Sequence, residues 1–203
     1  MEDKYVHEVY SSIYKQFDNT RFCIWDFVDK YISSLPKGDS LLDCGTGNGK
    51  NSIFAKKHGL VVKAFDYCKE FVELCNDKGI DTFVCDTCSI PLPDSSFDYA
   101  ISIAVIHHLF LPERRIAAIE EIIRVCRKSC LISVLSLENQ KDVVELGKVE
   151  KINDSDFLIK FGNSKRYYHY FTRQELEEIL SQMNINYRIS SSHGNWFIII
   201  NKS

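Results

Sequence analysis

Apolar residues in this chain fall into two rhythms that alternate along its length. Tyr5, Val9, Ile13 and Phe17 stand four apart and predict a helix or helix–loop over 5–17. Asp18-Asn19-Thr20 is a turn or cap cluster. Trp25, Val28 and Ile32 form the stripe of a second helix over 22–35, which Pro36-Lys37-Gly38-Asp39 stops. Ser40 to Leu42 reads as a short buried strand. After Asn48 the pattern turns helical: Ile53 and Phe54 face one way, and Lys50, Lys56 and Lys57 stay polar. The exchange then repeats. A strand over 61–65 ends in Asp66, a helix over 69–78 closes on Gly79, and a strand over 81–85 ends in Asp86. A loop over 90–96, a strand over 97–103, a helix over 112–125 and a strand over 130–135 follow.

Leu137 to Ser164 shows neither rhythm. It is polar, with Val143, Val144, Leu146, Phe157 and Ile159 scattered through it, and is expected to fold over the C-terminal edge of the sheet. Thr172-Arg173-Gln174-Glu175 fits a capping box before the stripe Leu176, Ile179, Leu180 and Met183. Strands over 187–191 and 196–200, joined around Ser192-His193-Gly194-Asn195, make an antiparallel hairpin. The alternation predicts one α/β domain over 1–203, with helices on both faces of a mostly parallel sheet. Residues 1–38 form an N-terminal helical flap, and 137–170 a substrate-side insertion.

Composition narrows the class. The chain has 203 residues, 45% hydrophobic and 26% charged, which suits a soluble domain with a full core. No apolar run is long enough to span a membrane, and Met1-Glu2-Asp3-Lys4 lacks the apolar stretch of a signal peptide. The eight cysteines are scattered, as reduced thiols of a cytoplasmic protein are. Cys85 and Cys88 have metal-ligand spacing but no second pair, so no metal is expected. A net charge of −3 argues against a surface that grips nucleic acid all over, and leaves room for a local basic patch.

The candidate chemistry sits at the strand ends. Gly45, Gly47 and Gly49 after the first strand let the backbone turn tightly against a ligand. A dinucleotide loop spaces its glycines G-x-G-x-x-G over a pyrophosphate; here the spacing is G-x-G-x-G, with an acid, Asp43, two residues before the first. A carboxylate there would repel a pyrophosphate and suit a cationic ammonium, such as that of S-adenosylmethionine. Asp66 stands about twenty residues beyond the loop, where an acid accepts ribose hydroxyls. Tyr67 is placed to stack on adenine, and Asp86 to take its amino group beside Thr87 and Cys88. His107-His108 follows the fourth strand, beside the expected position of a transferable methyl.

The run Asp43-Cys44-Gly45-Thr46-Gly47-Asn48-Gly49-Lys50 resembles motif I of class I methyltransferases. Longer blocks resemble the eukaryotic tRNA wobble-uridine carboxymethyl methyltransferases. These are Tyr5-Val6-His7-Glu8-Val9-Tyr10; Phe17-Asp18-Asn19-Thr20-Arg21-Phe22 with Trp25; Ile101 to Leu109 with Pro112-Glu113-Arg114-Arg115; and Lys165-Arg166-Tyr167-Tyr168-His169-Tyr170-Phe171 with Asn195-Trp196. Thr46 departs from the cysteine usual there, and 137–164 is far shorter than the family's long insertion.

The resemblance implies a Rossmann-like, seven-stranded sheet that binds S-adenosylmethionine. It implies methyl esterification of 5-carboxymethyluridine in a tRNA anticodon loop. Cofactor contacts would come from Trp25, Asp43, Gly45, Thr46, Gly47, Asn48, Gly49, Lys50, Asp66, Tyr67, Asp86, Thr87, Cys88 and Ala104. Substrate contacts would come from Tyr5, Thr20, Arg114, Arg115, Arg166, Tyr167, Tyr168, His169 and Trp196, with Arg21, His107 and His108 at the reacting centre. A carboxylate has a pKa of about 4 and is already a nucleophile at neutral pH, so the reaction needs alignment and a cation rather than a general base. Arg21 and the Arg166 block are candidates for that cation. The resemblance also implies a small zinc-binding activator protein; an apolar edge strand, Ile80 to Cys85, would suit a partner that adds a strand. Two other readings share the fold: a methyltransferase of a lipid or quinone precursor, and a cofactor-binding subunit without activity.

Overall fold

The computed structural model describes residues 1–20, 23–139 and 149–202. A π-helical turn, Asp3–His7, runs into helix α1 (Glu8–Asp18), and the four-residue spacing puts Val9 and Ile13 inside. Helix α2 (Asp26–Ser33) buries Val28, Tyr31 and Ile32. Strand β1 (Ser40–Cys44), helix α3 (Lys50–Lys57), strand β2 (Val61–Asp66), helix α4 (Lys69–Asp77) and strand β3 (Asp81–Val84) follow. Strand β4 (Phe97–Ile103), helix α5 (Pro112–Val125) and strand β5 (Cys126–Leu135) complete the parallel part.

The remaining elements build two structures. Strands β6 (Val149–Lys151), β7 (Asp156–Phe161) and β8 (Ser164–His169) form a separate antiparallel sheet. Helix α6 (Arg173–Ser181) leads to strands β9 (Asn186–Ser192) and β10 (Asn195–Asn201). The large sheet has the order β3-β2-β1-β4-β5-β10-β9, with β10 antiparallel to both its neighbours. Adjacent residues of β1 face opposite layers, as a strand's alternation requires. Leu42 packs with Ile119, Ile122 and Leu176 of α5 and α6, and Leu41 with Val28, Ile32 and Ala55 of α2 and α3. Strand order reverses between β1 and β4, which opens a crevice at their C-terminal ends. The two sheets meet at Phe171: its N–H donates to the Leu135 carbonyl at 3.0 Å, and its own carbonyl accepts from Leu137 N–H and the Trp196 indole, each at 3.0 Å.

Two expectations are corrected, and the segment that showed neither rhythm acquires a structure. Strand β5 begins at Cys126, four residues earlier than predicted, because α5 passes into it without a turn. The 137–170 segment contains a sheet, although Val143, Val144 and Leu146 lie outside the described residues. The capping box is one-sided: Thr172 Oγ accepts from Glu175 N–H, while the Glu175 carboxylate turns away to His169. Among the described residues no helix is long and apolar enough to cross a membrane, and no group of His, Cys, Asp and Glu is arranged to hold a metal.

Candidate functional site

The crevice holds a cavity of about 430 Å³. Its floor is the loop after β1. Gly45 has φ +79°, and a Cβ there would lie 2.5 Å from Val105 Cγ2, so the loop after β4 can approach only a glycine. That second loop is itself turned by Ala104, a non-glycine residue at φ +62°, whose N–H donates to the Ser133 carbonyl. Ala104 and Val105 both reach the cavity wall.

Asp66 closes the loop from β2. Its carboxylate accepts from Gly47 N–H at 2.8 Å and from Cys68 N–H at 2.9 Å. Burial pushes its pKa up to about 6, against the pull of those two donors. Asp86 is engaged on both oxygens, by Cys88 N–H and by Arg114 Nη2, each at 2.9 Å. Burial raises its pKa, but these partners outweigh it and the net shift is downward. Arg114 also binds Glu2 at 3.0 Å, which ties the N-terminal turn to the site. His7, on that turn, stacks on Tyr67 with ring centroids 3.8 Å apart.

The inner end of the cavity is lined by His107, His108, Arg166, Tyr168 and Asn195. His108 Nδ1 lies 2.9 Å from the Tyr167 carbonyl and must carry the proton. Its Nε2 then accepts the Tyr10 hydroxyl at 2.9 Å, and the Tyr10 oxygen accepts Arg166 Nη1 at 3.3 Å. His107 has the opposite tautomer: its Nδ1 accepts Leu135 N–H at 3.2 Å, which leaves Nε2 protonated. Burial lowers both pKa values, that of His108 to about 3 and that of His107 well below its usual range. Neither ring is set up as a general base. Arg166 is buried among the rings of Phe161, Tyr168 and Tyr10, at 4.4, 5.3 and 5.7 Å, and its Nε has no partner. It makes no ion pair among the described residues.

The structure separates the residues named from sequence. Trp25, Gly45, Thr46, Gly47, Asn48 and Lys50 line the cavity. So do Asp66, Tyr67, Asp86, Thr87 and Arg114. Asp43 does not: it lies beneath the loop, where Thr46 and Ser52 hydroxyls donate to its Oδ2 at 2.8 and 2.6 Å. Burial raises its pKa; its work is to brace the loop rather than to meet an ammonium. Gly49 packs toward Ile80 and Cys75, and the Cys88 thiol toward the Arg114 carbonyl, both away from the cavity.

Several expected substrate residues also face elsewhere. Arg115 is buried and donates to the Leu109 and Phe110 carbonyls. Tyr167 and His169 both turn to Asp156. The Trp196 indole is spent on Phe171, Thr20 caps α1 through the Gln16 and Phe17 carbonyls, and Tyr5 packs beside Val6 and Leu158. Arg21 lies outside the described residues. Sequence reasoning missed His7, Tyr10, Asn51 and Asn195 as lining residues. Asn51 follows the glycine loop directly, and its unpartnered, buried Oδ1 is the signal that structure adds.

Residues 42–134 match the family model described as "Methyltransferase domain". The chain is 42% identical over 142 residues to the tRNA (carboxymethyluridine(34)-5-O)-methyltransferase of Xenopus tropicalis, covering 69% of this chain and 22% of that protein. It is 30% identical over 230 residues to the protein of the same name from Schizosaccharomyces pombe, covering 100% of this chain and 98% of that one. Of the length of four curated relatives it spans between 21% and 35%. Among solved structures, a chain in the complex of the Haloferax volcanii Trm112 methyltransferase activator with a methyltransferase shares the fold, with TM-score 0.68, 12% identity, and coverage of 96% of this chain and 94% of that one.

Proposed function

This chain belongs to the tRNA (carboxymethyluridine(34)-5-O)-methyltransferase family, and on that footing we propose that it methylates the carboxylate of 5-carboxymethyluridine at the wobble position of tRNA. S-adenosylmethionine, bound in the crevice, supplies the electrophilic methyl group. The residues present fit it. Asp66 has lone pairs left for ribose hydroxyls, the Asn51 Oδ1 is a buried acceptor without a donor, and the glycine loop leaves room for the ligand against the backbone.

The observation that carries the reaction is Arg166. A buried guanidinium without a counter-ion is costly, and this one lines the cavity within an aromatic cage. An anion entering beside it would relieve that cost and lose its water shell. Held by Arg166, the carboxylate would be desolvated and aligned for attack on the methyl group that the cofactor would supply, the ester C–O bond replacing the carbon–sulfur bond. The neutral His107 and His108 agree with a reaction that has no proton to remove. A quinone or lipid precursor that reacts through a hydroxyl would need a base, and neither ring serves as one.

A partner belongs to the same reading. Strand β3 is an edge of the large sheet, and its Val84 is 54% exposed. An activator of the Trm112 kind that adds a strand along β3 would cover it. The test is transfer of labelled methyl from S-adenosylmethionine into tRNA lacking the ester, with the chain co-expressed with such an activator. Nucleoside mass spectrometry should find the methyl ester of 5-carboxymethyluridine. Label in another nucleoside, or none, would overturn the reading.

A further inference from the structure

Tyr167, His108, Tyr10 and Arg166 close a ring of hydrogen bonds at the inner end of the cavity. It starts on β8, where the Tyr167 carbonyl accepts from His108 Nδ1–H at 2.9 Å. His108 Nε2 accepts the Tyr10 hydroxyl of α1 at 2.9 Å. The Tyr10 oxygen accepts Arg166 Nη1–H at 3.3 Å, which returns the ring to β8 one residue from its start. Every bond runs in one direction, from the guanidinium to the carbonyl. Burial holds the imidazole neutral, so His108 adds no second cation beside Arg166. Of the guanidinium nitrogens, Nη1 is taken by Tyr10, and Nε is sealed in among the rings without a partner. Nη2 has no acceptor among the described residues, and it is the nitrogen left open to the cavity.

An arginine whose fork is free takes a carboxylate by two parallel bonds. Here the fork is not free, and an acid meets Nη2 end-on. One carboxylate oxygen is held, and the other keeps its lone pairs for the bond to methyl. We propose that Tyr10 and His108 are positioning residues that fix Arg166 in this end-on pose, and that the site thereby distinguishes an acid from a neutral side chain of the same shape. The inference rests on the proposed reaction and adds to it how the acid is recognised. An arginine side chain has several rotatable bonds and loses that freedom only where something holds it. The rings of Phe161 and Tyr168, at 4.4 and 5.3 Å, restrain the guanidinium without choosing which nitrogen faces the cavity. The Tyr10 oxygen makes that choice, and His108 holds the Tyr10 hydroxyl in place to make it. A carbamoylmethyl arm has the shape of the acid but no charge to offset that of Arg166. The methyl ester is neutral too, so the product is held more weakly than the substrate.

The experiment compares two anticodon stem-loops, one with 5-carboxymethyluridine and one with 5-carbamoylmethyluridine at the wobble position. Each is titrated into the chain with its activator and S-adenosylhomocysteine, which has no methyl to transfer, and binding is followed by fluorescence anisotropy. The wild type should hold the acid at least about tenfold more tightly than the amide. His108→Phe keeps a ring and removes both bonds, and its preference should fall to within about threefold. His108→Gln, whose amide offers both a donor and an acceptor, should retain more of the preference than His108→Phe. Cofactor affinity by calorimetry should stay near wild type in both, which shows that they are folded. A merely structural role would weaken the two stem-loops alike and leave their ratio unchanged. Should His108→Phe fail to fold, Tyr10→Phe, which loses a single oxygen, should show the same fall. An unchanged ratio in a folded variant, or no preference in the wild type, would overturn the inference, and methyl transfer by the wild type into the acid stem-loop would then leave the reaction standing. Absence of that transfer would overturn both.

Discussion

The hydroxyl of Tyr10 on α1 lies 2.9 Å from Nε2 of His108, on the turn after β4, and the same oxygen accepts from Arg166 on β8. One phenol thus joins the N-terminal segment, the large sheet and the small sheet at the reacting end of the cavity. Tyr10→Phe leaves a buried imidazole acceptor without its donor. Stability should fall by about 1–3 kcal/mol, measured by urea unfolding. Turnover should drop by about tenfold, as expected when a positioned group loses its anchor. Unchanged stability would mean that the bond is not made in solution.

Asp66 gives a prediction with a sign. Its folded pKa of about 6 lies above the ordinary 3.8, so the folded chain binds the extra proton between those values. Its contribution therefore lowers stability as pH rises through that window. Ribose hydroxyls need the carboxylate form, so affinity for S-adenosylmethionine should weaken as pH drops below about 6. Asp66→Asn should remove that pH dependence and weaken binding by roughly ten- to a hundredfold at neutral pH. Calorimetry across pH 5 to 8 would check both, with an Asp66→Asn profile parallel to the wild type counting against the assignment.

Gly45 and Val105 form a steric pair. Gly45→Ala places a methyl where the Val105 side chain is, and imposes φ +79° on a residue with a Cβ. Cofactor affinity should fall by at least about tenfold, and stability by roughly 2 kcal/mol. Adding Val105→Ala should recover the steric part of the loss and leave about 1 kcal/mol of backbone strain. Additive losses in the double variant would show that the two residues do not meet.

His169 lies between Asp156 and Glu175, at 2.7 and 3.0 Å. Burial lowers its pKa, but bonding to these two carboxylates outweighs burial and the repulsion of Arg115, and the net shift is upward from 6.5. The stabilisation is complete below pH 6.5 and fades as pH rises through the higher folded value. Asp156 works in the other direction. Burial opposes its ionisation, yet His169, Tyr167 and Asn153 bring its pKa down to about 2, so its share is lost as pH falls from 3.8 toward that value. Unfolding followed from pH 6 to 9 should show a decline in wild type that is absent in His169→Gln. The same slope in both would assign it elsewhere.

At the β3 edge, Val84→Lys should act in two directions at once. A lysine on an exposed edge deters self-association, so the isolated chain should become more soluble. The proposed activator should bind at least about tenfold more weakly, with cofactor affinity unaffected. Undiminished pull-down of the activator would move the interface away from β3.

How far the sequence could be read depended on how many faces each element buries. Strand β4 and helix α5 lie where the pattern put them, since Phe97–Ile103 is apolar between turn residues and Pro112 opens a clear stripe. Strand β7 was not legible. Leu158 packs toward the N-terminal segment and Phe157 toward Tyr168 and Tyr170, so both faces are apolar and no alternation marks the strand. The block 165–171 shows the same limit at the site. It reads as one polar-aromatic run, yet the two-residue period of β8 sends Arg166 and Tyr168 to the cavity and Tyr167 and His169 to Asp156. Acids at strand ends were visible because topology fixes those ends. That Asp43 points under its loop depends on two hydroxyls, Thr46 and Ser52, whose role no spacing announces.

The two sheets meet at Phe171, and the cavity has one wall on each: His107 and Asn195 belong to the large sheet and its loops, Arg166 and Tyr168 to the small one. An acid held by Arg166 on one wall would therefore face the glycine loop on the other across the seam between the sheets. Phe171 sits at that seam, although it lines no part of the cavity. A substitution there would act on both walls at once without touching what lies between them.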